Sequence, residues 1–379
     1  MFFELDAEQQ AIQSTVARFA REQIAPHASA WDEESRFPRE IFAPLAELGL
    51  AGMNVPEAYG GTELSKLTTA IVYETVAGSD LSTVVWLAVH NMVAGIIARF
   101  GDVEQQSRYL PRLVAGEMLG AFSLSEAGAG SDAAALRATA RRDGEHYVLN
   151  GTKLWVTSGN VADVFVVMAR TSEVKGGGGI SAFIVEAKTP GFSVGKVERK
   201  MGLHASPTAE LIFTDCRIPV ANRIGAEGQG LRIALSALDG GRVNVGAGAV
   251  GTAQAAMEIA RDYARERRQF GQSVADFQGI QFMLADMAMN IDAARLLVYR
   301  AAALLDAKGV ATREAAEAKC FATDMAMRVT TDAVQVLGGA GYVRDWPLER
   351  MMRDVKVTQI FEGTNQIQRV VIARALLKS

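Results

Sequence analysis

One stretch near the C-terminus, Ile360-Phe361-Glu362-Gly363-Thr364-Asn365-Gln366-Ile367-Gln368-Arg369, places a single carboxylate between two bulky apolar side chains and a glycine. Desolvation of a carboxylate disfavours its charged form and raises its pKa. A raised pKa suits a general base that takes a weakly acidic C–H proton near neutral pH. A lone Glu-Gly pair is equally typical of a solvated glutamate near a helix end, because acidic residues are rarely buried. This stretch alone leaves both interpretations of Glu362 open.

Two upstream segments give that stretch its context. They read Ser123-Leu124-Ser125-Glu126-Ala127-Gly128-Ala129-Gly130-Ser131-Asp132 and Trp155-Val156-Thr157. Three more marks follow in order: Asp239-Gly240-Gly241-Arg242, Glu266-Arg267-Arg268-Gln269-Phe270-Gly271 and Gln335-Val336-Leu337-Gly338-Gly339-Ala340-Gly341-Tyr342. In these motifs the chain resembles the acyl-CoA dehydrogenases. The resemblance extends from Leu5 to the C-terminus. Those flavoproteins desaturate acyl thioesters between the α and β carbons.

Composition excludes several other classes of function. A chain of 379 residues predicts roughly two or three domains. Its net charge is −4 and its basic residues are interleaved with acids, so a nucleic-acid groove is not indicated. The two cysteines, Cys216 and Cys320, are too few for a disulfide framework, and no Cys/His pair has the spacing of metal ligands. We therefore expect a reducing compartment, no metal and no nucleic-acid partner.

The start of the chain, Met1 to Asp6, lacks the basic and apolar regions of a signal peptide and the arginines of an amphipathic leader. We also expect no uncharged apolar run of about 18 residues, the length that a membrane span requires. These features predict a cytoplasmic protein without membrane insertion, or a mature chain whose leader has been removed.

Hydrophobic periodicity divides the chain into three parts. Up to about residue 118 apolar residues recur at helical spacing, after a candidate N-cap at Asp6. From about residue 121 to 224 the pattern predicts strands at 146–149, 164–168, 180–185 and 211–213, with Asn150-Gly151 as a hairpin turn and glycines 176–179 as a flexible connection. The helical period then returns over about 230–268, 275–307, 311–338 and 345–377, which predicts a helix bundle.

Helices, then strands, then helices make an α+β chain in the order of the acyl-CoA dehydrogenase fold. The resemblance implies an N-terminal all-α domain over 1–118, a middle antiparallel β-sheet domain over 119–226 and a C-terminal four-helix bundle over 227–379. Gly128-Ala129-Gly130 has no βαβ unit around it, so it is not a dinucleotide-binding fingerprint.

The resemblance implies FAD as the cofactor, with the protein supplying orientation and electrostatics. By resemblance, the segment 122–131 lies along the flavin, Trp155 covers one ring face and Thr157 bonds near flavin N5. Taken alone, Trp155 would equally fit core packing in a strand. The expected FAD-binding residues are Phe122, Leu124, Ser125, Gly130, Ser131, Trp155, Val156, Thr157, Arg267, Gln269, Phe270, Phe277, Gln278, Gln335, Gly338, Gly339, Thr364 and Gln366.

For Arg267 the sequence also fits a second interpretation besides FAD binding. In the family, the positions matching Arg267, Gln269 and Phe270 reach the diphosphate and adenine of an FAD held by another subunit. A planar, permanently charged guanidinium suits a diphosphate, whereas a charge run such as 265–268 is by itself typical of a solvated helix face. Sharing of FAD between subunits implies a homotetramer, or at least a dimer.

The resemblance implies an acyl-CoA substrate and a carboxylate base. In some relatives the base comes from the position that matches Gly241, and the tail position is then not acidic. Here residue 241 is glycine and the tail is acidic, so Glu362 is the expected catalytic base. The expected substrate-binding residues are Met92, Ser131, Asp239, Arg242, Phe361 and Gly363. We read the four histidines, His27, His90, His146 and His204, as structural.

Substrate preference rests on four further segments, 30–32, 90–92, 220–225 and 227–230. They look most like the isobutyryl-CoA and short-chain branch, which implies short acyl groups, straight or branched, from valine or fatty-acid breakdown. Met92, Val93 and Ile96 belong to a helix that lines the acyl tail in relatives, and Phe361 is expected to crowd the same space. Electron-transfer flavoprotein is the expected electron acceptor.

Two other activities are the alternatives. An acyl-CoA oxidase would pass electrons to oxygen, but oxidases are usually longer. A relative that protects DNA would need a basic surface, which this composition does not supply.

Overall fold

The structure, a computed structural model, describes residues 4–378. The prediction that the chain carries no leader depends partly on residues 1–3, which lie outside the described residues.

The first third of the chain is helical, as predicted. The candidate N-cap is confirmed, because the Asp6 carboxylate accepts from the backbone N–H of Gln9 and the Gln9 side chain accepts from the N–H of Asp6. The helices are α1 (Ala7–Phe19), α2 (Ala28–Glu33), α3 (Phe42–Glu47), α4 (Lys66–Ala77), α5 (Leu81–Phe100) and α6 (Val103–Val114).

Helix α5 corrects one expectation. It is long and apolar enough to cross a membrane, with a mean hydropathy of 1.7, although we expected no such run. Its apolar window is 67% buried inside the protein, and α4, α6 and α7 (Gly230–Glu266) pack against it. Such burial is typical of the core helix of a globular domain, so length and composition are weak evidence for a span here.

The middle of the chain forms a sheet that, within the described residues, has eight strands. Most neighbours are antiparallel, but β1 runs parallel to β4, and β2 meets β4 in a parallel pair. The strands are β1 (Gly120–Ser123), β2 (Thr139–Asp143), β3 (His146–Thr157), β4 (Val164–Arg170), β5 (Ile180–Glu186), β6 (Phe192–Val197), β7 (Thr208–Pro219) and β8 (Arg223–Ile224). Residues 176–179 form a short 3-10 turn that connects β4 to β5.

The predicted hairpin turn at Asn150-Gly151 is wrong. The turn lies at residues 144–145, where Gly144 has a φ of +60° and Asp143 pairs with His146. Strand β3 continues through Gly151, and its register against β7 shifts there. A Cβ on Gly151 would lie 2.8 Å from Ala138, so this glycine marks a bulge where two backbones approach closely.

The last third of the chain is a helical bundle built around α7, which packs against α8, α9, α4 and α5. The approach to α4 is very close, since a Cβ on Gly251 would lie 1.9 Å from the carbonyl oxygen of Glu74. The bundle elements after α7 are the hairpin β9 (Arg268–Gln269) and β10 (Gln272–Ser273), then α8 (Gln278–Lys308), α9 (Thr312–Leu337), α10 (Gly339–Tyr342), α11 (Leu348–Lys356) and α12 (Asn365–Leu376).

The predicted fourth long helix over 345–377 is wrong, because the chain breaks in its middle. Helix α11 ends at Lys356, and α12 begins at Asn365 with Thr364 as its N-cap. Between them Glu362 and Gly363 have φ values of +55° and +87°. Left-handed backbone at two successive residues cannot continue a right-handed helix. The break places Glu362 on a turn between two helices.

Candidate active site

The Glu362 carboxylate faces helices α5 and α7. A Cβ added at Gly241 of α7 would lie 2.8 Å from Glu362 Oε2 and 2.9 Å from the terminal methyl of Met92 of α5. The missing side chain at position 241 therefore provides the space that the carboxylate occupies. This geometry is consistent with the sequence-based choice of Glu362 as the base, which rested on residue 241 being glycine.

Burial is the main electrostatic influence on Glu362. It raises the pKa of the carboxyl to about 7, and the opposing charges of Arg242 and Lys319 only partly offset it. The Oε2 atom is shielded from solvent and has no hydrogen-bond partner among residues 4–378. The raised pKa was expected, but one of the flanking side chains, Ile360, is 52% exposed and so contributes little to the burial. Packing against α5 and α7 desolvates the carboxylate.

Arg242 and Asp239 form a buried ion pair on α7. Arg242 Nη1 donates to Asp239 Oδ1 at 2.8 Å, and Asp239 Oδ2 accepts from the hydroxyl of Thr312 at 2.6 Å. Arg242 is only 6% exposed. Both residues were predicted to bind the substrate, and in addition Arg242 acts electrostatically on Glu362 from inside the bundle.

The turn that carries Glu362 is fixed by residues that the sequence analysis did not single out. Lys319 of α9 donates to the carbonyl of Gly363 at 2.9 Å and to Asn365 Oδ1 at 2.8 Å. Gln368 of α12 donates to the carbonyls of Glu362 and Gly363 at 3.0 and 2.8 Å. The available signal was periodicity, because Lys319 falls on the same α9 face as the buried residues Ala315, Ala322 and Ala326.

A cleft of about 400 Å³ lies beside the Glu362 carboxylate. Met92 and Gly241, which both adjoin that carboxylate, also line the cleft, and Ile96 lies further along α5. Val93 packs against Gly120 of β1 and Phe361 packs against the core, and neither is among the residues that line the cleft. The other lining residues include Asn54, Lys66, Gly95, Arg99, Ala237, Gly240 and Asn244.

The loop after β1, 124–132, is held by a second buried lysine. Lys153 of β3 donates to the carbonyl of Leu124 at 3.0 Å and to Glu126 Oε1 at 2.8 Å. The Glu126 carboxylate also accepts from the backbone N–H groups of Arg137 and Ala138. The loop therefore has a defined shape although Gly128, Gly130 and Ser131 along it are exposed.

Trp155 does not pack in the core, so that alternative is excluded. A bulge between Lys153 and Val156 gives Trp155 a φ of +57° and leaves its side chain 55% exposed. Lys153 points inward and Trp155 outward as a result. Two nearby serines, Ser123 and Ser158, are buried with hydroxyls that lack a partner within the described residues. An open indole and unused hydroxyls fit a polar, planar group in this region.

The remaining candidate FAD contacts lie on the surface of the single chain, at the ends of long helices. Arg267 caps the C-terminus of α7 and is exposed, and Phe270 at the tip of the β9–β10 hairpin is 94% exposed. Side chains added at Gly338 and Gly339, after α9, would meet nothing within 4 Å. These positions leave room for a ligand, and the other candidates at helix ends are Gln269, Phe277, Gln278, Gln335 and, beside Glu362, Thr364 and Gln366.

The fold and the site together define a class of enzyme. A buried carboxylate with a pKa near neutrality lies close to a cleft, and the sheet carries an exposed indole and a loop of defined shape that suit a planar cofactor. This combination is typical of an oxidoreductase that removes a proton from carbon.

Family models identify the class more closely. The N-terminal, middle and C-terminal domain models of acyl-CoA dehydrogenase match residues 6–117, 121–216 and 228–377. The chain belongs to the acyl-CoA dehydrogenase family, whose members bind FAD. The resemblance, the fold class, the enzyme class and the cofactor inferred from the sequence are thereby confirmed.

Individual relatives are similar along the whole chain. The mitochondrial isobutyryl-CoA dehydrogenase of Dictyostelium discoideum is 45% identical over 99% of this chain and 90% of its own length. The butyryl-CoA dehydrogenase structure from Megasphaera elsdenii is 42% identical with a TM-score of 0.97 and full coverage of both chains. A chain in a structure of the electron transferring flavoprotein of Acidaminococcus fermentans is 46% identical with a TM-score of 0.98, again with full coverage of both.

Proposed function

We propose that this protein is a FAD-dependent dehydrogenase of short-chain acyl-CoA thioesters, in which Glu362 removes the α-proton. One observation carries the assignment: the unpartnered Oε2 of Glu362 is buried against the cleft that Met92 and Gly241 line. A base in this setting is charged at and above about pH 7 and is free to accept a proton.

The protein's own groups account for the proton chemistry. Glu362 Oε2 takes the proton as the α C–H bond breaks, and the electron pair forms the α,β double bond as the β-hydride leaves. By the family pattern, the backbone N–H of Glu362 polarises the thioester carbonyl, and a preorganised donor of this kind contributes roughly 3–4 kcal/mol. FAD, when bound, supplies the hydride acceptor.

The proposed FAD site joins the sheet to the bundle. Trp155 offers an exposed ring face, and the loop 124–132 offers backbone groups whose positions the Lys153–Glu126 pair fixes. Arg267 offers a solvent-exposed guanidinium to the diphosphate, from a neighbouring subunit as the family pattern implies. FAD also occurs in the structure of PigA with FAD and proline, which is 33% identical with a TM-score of 0.96.

The short-chain preference is supported by the cleft and by the relatives. A cleft of about 400 Å³ has room for a short acyl group, with Met92 as one wall. Two relatives at 45 and 42% identity are isobutyryl-CoA and butyryl-CoA dehydrogenases. Branched-chain amino-acid or fatty-acid breakdown is the corresponding metabolic role.

Assembly into a homotetramer, or at least a dimer, is supported by exposed apolar side chains on α8. Phe282, Met289 and Leu296 recur at seven-residue spacing and are exposed in the single chain. Seven residues are two helical turns, so the three side chains form one stripe. Electron-transfer flavoprotein is the proposed electron acceptor, in line with the similarity to a chain in the Acidaminococcus structure.

Anaerobic bleaching of the bound flavin by a panel of acyl-CoAs tests this function. Isobutyryl-CoA and butyryl-CoA should outrank octanoyl-CoA by at least about tenfold in kcat/KM, because each methylene in an apolar pocket contributes roughly 1–3 kcal/mol. Glu362→Gln should retain FAD and thioester binding but lose flavin reduction by several orders of magnitude, since an amide cannot accept the proton.

The possible outcomes separate the parts of the proposal. A near wild-type rate in Glu362→Gln would remove the base assignment but leave the family and cofactor standing. A preference for eight carbons or more would overturn the short-chain assignment alone. Rapid reoxidation of the substrate-reduced flavin by oxygen would favour the oxidase alternative.

A further inference from the structure

We infer that Lys319 is a positioning residue for Glu362: its ammonium anchors the turn at Gly363 and Asn365 and so fixes the carboxylate against Gly241. The inference deepens the proposed function and rests on Glu362 being the base. Lys319 lies on α9, whereas Glu362 lies on the turn before α12, and the lysine acts on it through the backbone of that turn.

The turn needs an anchor because its backbone is strained. Glu362 has a φ of +55°, in the left-handed region that non-glycine residues seldom occupy. Such a conformation costs on the order of 1–3 kcal/mol and persists only where the surroundings over-determine it. Lys319 and Gln368 together place three N–H···O bonds on the carbonyls of Glu362 and Gly363. These bonds fix the direction in which the Glu362 side chain leaves the turn.

The anchor is itself rigid. Lys319 is fully buried, and Asn365, which accepts from its Nζ, also donates to Thr323 and to Asp324 at 2.9 and 2.7 Å. Asp324 in turn accepts from Arg369 of α12 at 2.8 Å. The network therefore joins α9, the turn and α12, so a displacement of Lys319 would move the turn with it.

Lys319 also sets the charge around the base. The charged groups that act on Glu362 are Arg242 from α7 and Lys319 from α9. Arg242 already has a carboxylate partner in Asp239, whereas both hydrogen-bond acceptors of Lys319 are neutral oxygens. Burial lowers the pKa of Lys319 to about 8, and Glu362, Cys320 and Asp324 oppose that fall while Arg242 adds to it. Lys319 is therefore charged at neutral pH.

A purely structural lysine would join α9 to α12 without affecting the base. The two roles differ in the pH profile of anaerobic flavin reduction. Because the Lys319 charge lowers the pKa of Glu362, its removal should move the rising limb of the rate from about pH 7 to higher pH. Loss of fold stability alone would lower FAD content or thermal stability and leave the limb in place.

The test compares Lys319→Met with Gln368→Met, both in the FAD-loaded protein with butyryl-CoA or whichever panel member bleaches the wild type fastest. Lys319→Met should lower the rate at pH 7 by roughly 10- to 100-fold, as expected for a misplaced catalytic group, and shift the limb by roughly one pH unit. Gln368→Met removes two hydrogen bonds from the same turn but no charge, so it should lower the rate without a shift. Lys319→Arg, which keeps the charge, should leave the limb near its wild-type position.

Two results would overturn the inference. The first is a wild-type rate and a wild-type pH profile of flavin reduction in Lys319→Met while Glu362→Gln is inactive, which would leave the base assignment intact. If Lys319→Met yields no folded flavoprotein, Lys319→Gln takes its place, because its amide can keep one hydrogen bond. The second is that neither Lys319→Met nor Lys319→Gln folds although Gln368→Met does, which would mean that Lys319 serves only the stability of the fold. An active Glu362→Gln would instead refute the proposed function on which the inference rests.

Discussion

Lys153 and Lys319 are both fully buried, and each donates to a backbone carbonyl in a loop of the proposed site. Their second partners differ. Lys153 pairs with the carboxylate of Glu126, whereas Lys319 bonds to the neutral side chain of Asn365. The same residue type therefore fixes a loop in two electrostatic settings.

The first setting is a closed ion pair. Burial tends to raise the pKa of Glu126, but Lys153 and two backbone N–H groups outweigh burial and hold that pKa below its usual value. This pair and the two backbone N–H groups give the loop 124–132 a fixed shape. In the second setting no carboxylate among residues 4–378 accepts a hydrogen bond from the ammonium, and Glu362 is the acid with the largest electrostatic effect on it. The two lysines therefore differ in whether a carboxylate accepts directly from the ammonium.

The largest expected difference between the two lysines is in stability. Lys153→Met should cost about 3–5 kcal/mol in the free energy of unfolding, because it leaves the Glu126 carboxylate buried without its cation. Lys319→Met leaves two neutral acceptors and should cost about 1–3 kcal/mol. Denaturant unfolding of the FAD-loaded proteins measures both values. The double variant Glu126→Gln/Lys153→Met should recover much of the loss, and equal costs for the two lysines would break the comparison.

A second prediction concerns the turn that Lys319 anchors, where the Glu362 carboxylate lies against Gly241. Gly241→Ala puts a methyl 2.8 Å from Glu362 Oε2 and 2.9 Å from the mobile end of Met92. We expect flavin reduction to slow by roughly tenfold or more, because the carboxylate has to move. Gly240→Ala is the comparison on the same helix: it also lines the cleft, but its new methyl would lie more than 4 Å from the Glu362 carboxylate and from the other described residues beyond its own turn of helix. A larger rate loss in Gly240→Ala would contradict the packing described for Glu362.

The smallest expected effect is a gain in stability from removing the base. The folded-state pKa of Glu362, about 7, lies above its ordinary value of 4.5, so the folded protein binds the extra proton between those pH values. The stability of the wild type therefore falls as pH rises through this window, and the penalty is complete above about pH 7. Glu362→Gln should be more stable than wild type at pH 8 by at most about 3 kcal/mol, and nearly equal to it at pH 4.5. No pH dependence in that difference would indicate that the carboxylate is solvated.

The sequence predicted the elements that depend on local patterns. Helical periodicity and the Asp6 cap are properties of neighbouring residues, and both are confirmed. Asn150-Gly151 was predicted to be a hairpin turn, but the same residues also suit a bulge. Only the approach of Ala138 across the sheet distinguishes a bulge from a turn here. The break at Glu362 was missed for a similar reason, since the donors that hold it come from Lys319 and Gln368.

The candidate site shows the same division. Family motifs identified Glu362 and the loop 122–131, but they could not show that the desolvation of Glu362 comes from α5 and α7 rather than from Ile360. Neither Lys153 nor Lys319 was singled out from the sequence, although helical periodicity places Lys319 on the buried face of α9. Their roles depend on partners that are 27 and 46 residues away along the chain.

The contact between Gly251 and Glu74 has a consequence for how a substrate enters. With no side chain at position 251, the backbones of α4 and α7 touch, and the ion pair of Arg295 with Glu74 joins α8 to the same point. Helix α5, which follows α4 after three residues, is therefore held at a set distance from α7. The cleft between them therefore keeps a set width, which would limit the thickness of the proposed acyl substrate.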